Sequence, residues 1–245
     1  MSDSHRSYTD LVRDFYLVFQ PIVLVDPSLK SQIEDYEVLL REKSTNAFPY
    51  KDFEYIIRNN EGNSVLLQWF SAELRHVCLC MPQVKIDINL NPQQLLFDST
   101  LNFLNNLEDL ADRINVEITE TPSRVASMNN ATMTERLREI VGLGFSATLD
   151  DVDSGDNNLN VVTQSAPYID RIKLSLLAFD GKPAAQVDAL LKKWQQFAEK
   201  YHLQLIVEGI ESIALASTLE DSKFDLQQGF YWARPKMFDC LYKGR

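Results

Sequence analysis

Two long apolar runs open the chain, at residues 15–25 and 33–41. Only Pro27, Ser28 and the polar residues after them separate the two. That link is too short for a crossover helix, so the pair predicts an antiparallel hairpin. Helical spacing follows over roughly 51–59 and 64–80. Strand patterns then alternate with helical ones: 84–90, 115–119, 145–150, 169–174, 203–208 and a poorer last candidate at 224–228. The clearest helix covers 184–201, after the turn Asp180-Gly181-Lys182-Pro183. Its residues Val187, Leu190, Leu191, Trp194, Phe197, Ala198 and Tyr201 recur on one face, which reads as core packing.

Strands separated by helices favour parallel pairing with both faces covered. Eight strands in 245 residues predict an α/β fold, a TIM-like (β/α)8 barrel with an antiparallel first strand. An open doubly wound sheet is the alternative. No Gly-x-Gly-x-x-Gly follows a strand, so a dinucleotide-binding first unit has no support.

A strand covered on both faces should be almost continuously apolar, and these are not. In 84–90, Val84, Ile86, Ile88 and Leu90 share one side while Lys85, Asp87 and Asn89 share the other. Glu117 opposes Val116 and Ile118, and Glu208 opposes Leu205 and Val207. Glu37 and Arg41 share a face, Asp150 and Asp151 end one strand, and Lys173 nearly ends the next. With helices outside, these groups must point into the lumen. Burying unpaired carboxylates costs several kcal/mol each or forces protonation. Divalent cations relieve that cost, and oxygen-rich sites suit Mg²⁺ or Mn²⁺. Most of the groups lie at C-terminal strand ends, where barrel active sites sit. Adjacent carboxylates such as Asp150 and Asp151 can ligate two ions ~3.5–4 Å apart, the apparatus of phosphoester hydrolysis. A structural ion-pair network is the competing explanation of the same pattern.

Composition narrows the partners. Lys and Arg number 24 against 35 Asp and Glu, a net charge of −11, which excludes a sequence-independent binder of polymeric nucleic acid. Cys78, Cys80 and Cys240 are too few for a disulfide framework and read as buried thiols in a reducing compartment. The longest apolar region is interrupted at Gln20 and Pro21, so no membrane insertion is expected. The polar start of the chain lacks a signal-peptide core, and a cytoplasmic protein is the expectation. His5, His76 and His202 match no catalytic motif, and Lys192-Lys193 reads as a solvated helix face.

The ordered motifs resemble the EAL domain, the metal-dependent phosphodiesterase of cyclic di-GMP. The naming motif stands as Glu37-Val38-Leu39-Leu40-Arg41, with Val in place of the usual Ala. Phe19-Gln20-Pro21-Ile22-Val23 precedes it. Ile88-Asn89-Leu90-Asn91-Pro92, Val116-Glu117-Ile118-Thr119-Glu120 and Leu149-Asp150-Asp151 follow. After them come Ile172-Lys173-Leu174, Val207-Glu208-Gly209-Ile210-Glu211, Gln228-Gly229-Phe230 and Arg234-Pro235. The resemblance spans roughly 16–235 and implies one phosphodiesterase domain over 1–245.

By that resemblance, Glu37, Asn89, Glu117 and Asp150 are ligands of one metal; Asp150, Asp151 and Glu208 are ligands of a second. Lys173 corresponds to the lysine contacting the nucleophilic water, and Gln228 to the glutamine ordering water at the second metal. Gln20 and Arg41 correspond to substrate contacts, with Asn89 beside them, and Glu120 to the anchor of the loop after Asp151. The implied reaction is in-line attack of a metal-bound hydroxide on cyclic di-GMP, giving linear pGpG.

One segment departs from the family. Its loop usually reads Asp-Phe-Gly-Thr-Gly-Tyr-Ser-Ser; here it is Asp151-Val152-Asp153-Ser154-Gly155-Asp156-Asn157-Asn158. In the family this loop positions the second metal and contributes to a homodimer. Asp153 replaces a glycine, so a positive φ there would be strained, although Asp tolerates it better than most residues. The bland account of Asp153 and Asp156 is solvated turn residues. A catalytically weak or inactive cyclic di-GMP receptor or protein-interaction module is the second functional reading, and only this loop favours it. A third, enolase-type proton abstraction, needs a capping domain for which the chain has no spare length. With no second domain in the sequence, control is expected from expression, oligomer state or an unlinked partner.

Overall fold

In the computed structural model of the chain, residues 6–120, 130–179 and 181–238 are described. His5, Cys240 and Asp180, the first residue of the expected turn, lie outside them. The first two strands, β1 (Phe15–Val25) and β2 (Ser31–Glu42), form the expected antiparallel hairpin, with Phe15 opposite Glu42 and Val25 opposite Ser31. Its turn is built by Asp26, whose Oδ1 accepts the N–H groups of Ser28 at 2.8 Å and Lys30 at 3.0 Å.

Six parallel strands complete the circuit. They are β3 (Ile86–Leu90), β4 (Ile114–Ile118), β5 (Ser146–Leu149), β6 (Arg171–Ser175), β7 (Gln204–Glu208) and β8 (Leu226–Gln227). β8 returns to β1 antiparallel, through Val23 opposite Gln227, and closes the barrel in the order β1 to β8. The open-sheet alternative is therefore excluded. Only two residues of the last strand candidate pair, so its weak pattern reflects a short strand.

Helices α1 (Tyr8–Val12), α2 (Tyr50–Ile56), α3 (Asn60–Cys80), α4 (Asp98–Asn105), α5 (Asn130–Gly142), α6 (Leu159–Ser165), α7 (Ala184–Tyr201) and α8 (Ile213–Asp221) occupy the stretches outside and between the strands. α7 has the bounds that its apolar stripe predicts. Trp194 in that stripe is fully buried, and the helix ends at His202 in the left-handed region, φ 57°. α3 begins four residues earlier than its spacing suggests. Asn59 caps it by accepting from Gly62 N–H at 2.9 Å. Asn63 in its first turn is buried because its amide serves Ser99, Thr100 and Gln94.

The alternation read from the strands separates two environments. Ile86, Ile88, Val116, Ile118, Leu149, Ile172 and Leu174 face outward and are buried together with residues of the helices, among them Leu74, Leu104, Leu137 and Trp194. Burying each such side chain contributes roughly 1.5–3 kcal/mol. The lumen is lopsided. Ile22, Ile206 and Leu226 fill the part near β1, β7 and β8. Asp35, Glu37, Asp87, Asn115, Glu117, Thr148, Arg171 and Lys173, all buried, come from β2 to β6.

Candidate functional site

The lumen groups at the C-terminal strand ends meet around one ammonium. Lys173 is 1% exposed. Its Nζ lies 2.8 Å from Glu117 Oε1, 2.5 Å from Glu208 Oε1, 3.5 Å from Glu37 Oε2 and 4.0 Å from Asp150 Oδ1. Side chains from β2, β4, β6, β7 and the end of β5 thus converge. Glu37 also accepts from Asn89 Nδ2 at 2.9 Å and from Gln228 Nε2 at 2.6 Å. Gln20 lies opposite Glu37 across the hairpin, with Nε2 donating to the Ala233 carbonyl at 3.2 Å.

Asp151 stands on the other side of Asp150. Ligand oxygens of Glu120, Asp150 and Asp151 all lie within 4.8 Å of one another. Sequence reasoning treats Glu120 only as a loop anchor; its carboxylate also faces this pair. Arg41 and Glu37 line a cavity of about 1100 Å³ together with Asn89, Asn91 and Glu120. Arg41 is half-buried, and its Nη1 donates to the Leu40 carbonyl at 2.8 Å.

The donor set fits oxygen-seeking divalent ions. Glu117 Oε2, Asp151 Oδ1 and Gln228 Oε1 are buried without hydrogen-bond partners, and buried acceptors of this kind call for a cation or ordered water. The charges register the same crowding. Burial pushes the Glu117 carboxyl well above its usual range, with Lys173 opposing the shift. Burial and the neighbouring acids raise Glu208 to about 8, Asp150 to about 7 and Asp151 to about 6. Burial also acts to raise Glu37, but Lys173 and the amides of Asn89 and Gln228 outweigh it and hold that carboxyl low. Burial would lower Lys173; Glu117, Glu208 and Glu37 instead raise it well above its ordinary value.

A pH dependence follows. The unfolded chain releases the protons of Asp150, Asp151 and Glu208 near pH 4, whereas the fold without divalent ions keeps them to about pH 6–8. Between those limits the folded state holds more protons, so stability falls as pH rises. Divalent ions need the ionised carboxylates, so their binding strengthens over the same interval. In chelator, Tm is expected to drop between pH 5 and pH 8. Stabilisation by Mg²⁺ or Mn²⁺ should grow from slight to large. A metal effect of equal size at both pH values would contradict this.

The divergent loop is attached at both ends. Asp153 does adopt a positive φ, 70°, and Asp151 has 44°. Asp153 N–H donates to the Asn157 carbonyl at 2.9 Å, and Asp153 Oδ1 pairs with Lys193 Nζ at 2.8 Å. Lys193 is therefore more than a solvated helix residue, although a pair this exposed contributes only about 0–1 kcal/mol. Asn157, which the sequence gives no reason to single out, is buried and donates from Nδ2 to the Asp150 carbonyl at 2.6 Å. Asp156 N–H reaches the Glu120 carbonyl at 3.3 Å. Gly155, with φ 50°, lies so close to that carbonyl that a Cβ would sit 2.2 Å from its oxygen.

Trp232 donates from Nε1 to Gln227 Oε1 at 3.2 Å and packs edge-on against Tyr231. Cys78 is buried; Cys80 is only half-buried, with Sγ 3.8 Å from His76 Nε2. Among the described residues, no helix is long and apolar enough to cross a membrane.

The EAL domain family profile matches residues 8–235. The cyclic di-GMP phosphodiesterase NbdA of Pseudomonas aeruginosa is 29% identical over 128 residues, which is 50% of this chain and 15% of that protein. The chain spans less than a third of the length of the curated relatives it matches. Klebsiella pneumoniae BlrP1, solved with manganese and cyclic di-GMP, superposes with a TM-score of 0.73 at 22% identity, covering 91% of this chain and 56% of that one. A standalone EAL protein of Vibrio cholerae O395, solved with cyclic di-GMP, gives 0.70 at 24% identity, covering 91% and 93%. At these identities the two structures establish a shared fold.

Proposed function

The chain belongs to the EAL domain family, and from that premise we propose that it is a metal-dependent phosphodiesterase that opens cyclic di-GMP to linear pGpG. One observation carries the reading: Glu37, Glu117, Asp150 and Glu208, brought in by four different strands, lie within 4.0 Å of a single buried ammonium. So dense a set of acids at a barrel mouth suits an exchangeable cation load and a phosphate substrate.

In this reading Glu37, Asn89, Glu117 and Asp150 would hold one divalent ion. Asp150, Asp151 and Glu208 would hold the other, with the Glu120 carboxylate beside Asp150 and Asp151. Bound Mg²⁺ or Mn²⁺ supplies a nucleophile at neutral pH and charge for the phosphoryl oxygens. The chain supplies position. Glu37 is fixed by the amides of Asn89 and Gln228, so its carboxylate cannot rotate freely. Lys173 Nζ directs its protons toward Glu117, Glu208 and Glu37, and by the family resemblance it would also contact attacking water. Arg41, at the cavity wall, offers a guanidinium to a phosphate oxygen, and Gln20 steadies the hairpin wall beside Glu37. The bond from phosphorus to the 3′ oxygen would break as the new one forms, and the released oxygen would take up a proton from solvent.

Incubation of the purified protein with cyclic di-GMP and Mn²⁺ or Mg²⁺, followed by chromatography, tests the proposal. The expected product is pGpG, absent when chelator is added. Well-folded protein that binds the nucleotide and leaves it intact with either metal would overturn hydrolysis and favour the receptor reading.

A further inference from the structure

Below the mouth, the same strands carry a second set of buried polar groups. Asp35, Asp87, Asn115, Thr148 and Arg171 project into the lumen from β2, β3, β4, β5 and β6. Asp87 is fully buried and lies in register with Glu37 on one side and Asn115 on the other. The Arg171 guanidinium is already committed. Its Nε donates to Gln204 Oε1 at 2.6 Å and its Nη1 donates to Asp35 Oδ2. The same Nη1 is 3.7 Å from Asp87 Oδ2, too far for a hydrogen bond. The two carboxylates therefore gather around one nitrogen that satisfies only one of them.

What remains is a set of acceptors with no donor. Both oxygens of Asp87, Asp35 Oδ1 and Asn115 Oδ1 are buried and lack hydrogen-bond partners. Asn115 Nδ2 is held by Thr148 Oγ1 at 2.8 Å, which aims the amide oxygen away from Thr148. Buried oxygens left this way are costly, by about 1–3 kcal/mol each. With both carboxylates ionised, they exceed the one guanidinium by a single negative charge. A divalent ion would overshoot that charge beside Arg171, whereas a single positive charge balances it. A cavity of about 340 Å³ opens at this end onto Asp35, Asn115 and Arg171 and supplies a route from solvent.

We propose that the floor of the barrel binds one monovalent metal cation, of the size of Na⁺ or K⁺, through Asp35, Asp87 and the Asn115 carbonyl oxygen. The ion ties β2, β3 and β4 together beneath the catalytic mouth and contributes stability in proportion to its occupancy.

The test is thermal unfolding of the full chain, treated with chelator and without substrate. It is run at fixed pH and ionic strength in KCl, NaCl or tetramethylammonium chloride, whose cation is too large to enter. At about tenfold excess over Kd, Na⁺ or K⁺ should raise Tm by roughly 3–5 °C over tetramethylammonium, saturably. The shift should disappear in Asn115→Ala and persist in Glu208→Gln, which alters only the mouth. In crystals soaked in Rb⁺, an anomalous peak is expected among Asp35, Asp87 and Asn115, a readout that survives if Asn115→Ala fails to fold. Equal Tm in the three salts would overturn the site. So would a shift lost in Glu208→Gln or kept in Asn115→Ala. Water alone at this position, or a protonated Asp87 with no ion, would do the same.

Discussion

Replacing Asp150 by Asn is expected to abolish pGpG formation while leaving the protein better folded in chelator. Asn keeps the shape of the side chain and an oxygen at Oδ1, which accepts the Asp151 N–H at 2.8 Å. The charge that both ions would share is lost. Metal ions contribute several kcal/mol to stabilising a phosphoryl transition state, so activity should fall by at least about 10³-fold. The opposite sign is expected for stability. Burial and neighbouring acids raise the Asp150 carboxyl to about 7, which marks its ionised form as unwelcome in the fold without divalent ions. At pH 8, Asp150→Asn should melt higher than the parent in chelator and gain less from Mn²⁺. A variant retaining a tenth of parental turnover would sink the shared-ligand role.

Lys173→Met should act in the reverse sense on stability. Met fills much of the same volume but removes the ammonium from among Glu37, Glu117, Asp150 and Glu208. Breaking a buried ion pair by deleting one partner costs about 3–5 kcal/mol. The loss should be largest near pH 8. It should shrink near pH 5, where protonation of Asp150 and Glu208 removes the repulsion. Divalent ions should recover much of it, because they replace the missing charge. Turnover should remain negligible even after that recovery, since water loses its nearest fixed cation. Denaturant titrations at pH 5 and pH 8, with and without Mn²⁺, check this. A variant as stable as the parent at pH 8 in chelator would contradict it.

The barrel was legible in the sequence because the strands break the rule for doubly covered sheets. Asp87, Asn89, Glu117 and Lys173 interrupt otherwise apolar strands, and only a polar interior reconciles them with helices outside. Elements with weaker patterns were harder to read. The start of α3 looks like a loop, since Asn59, Asn60, Gly62 and Asn63 are all poor helix formers by composition. Its reason is tertiary: the Asn63 amide belongs to a buried network with Ser99, Thr100 and Gln94. The pairing of Asp35 with Arg171 joins residues 136 apart, and nothing local in either strand announces it. The carboxylate of Glu120 beside Asp150 and Asp151 likewise depends on how the loop after β4 folds back.

The residues after β5 are held in place although their sequence departs from the loop expected by resemblance. The segment is pinned at three places: the Asn157 amide on the Asp150 carbonyl, the Asp156 N–H on the Glu120 carbonyl, and Gly155 pressed against that same oxygen. Between the pins, Asp153 is confined by its φ of 70° to residues that tolerate the left-handed region, whereas Ser154 is only half-buried and has room to vary. Tolerance to replacement should thus be patchy within eight consecutive residues, with Gly155 and Asn157 the least replaceable, Asp153 restricted by its backbone and Ser154 the most open to change.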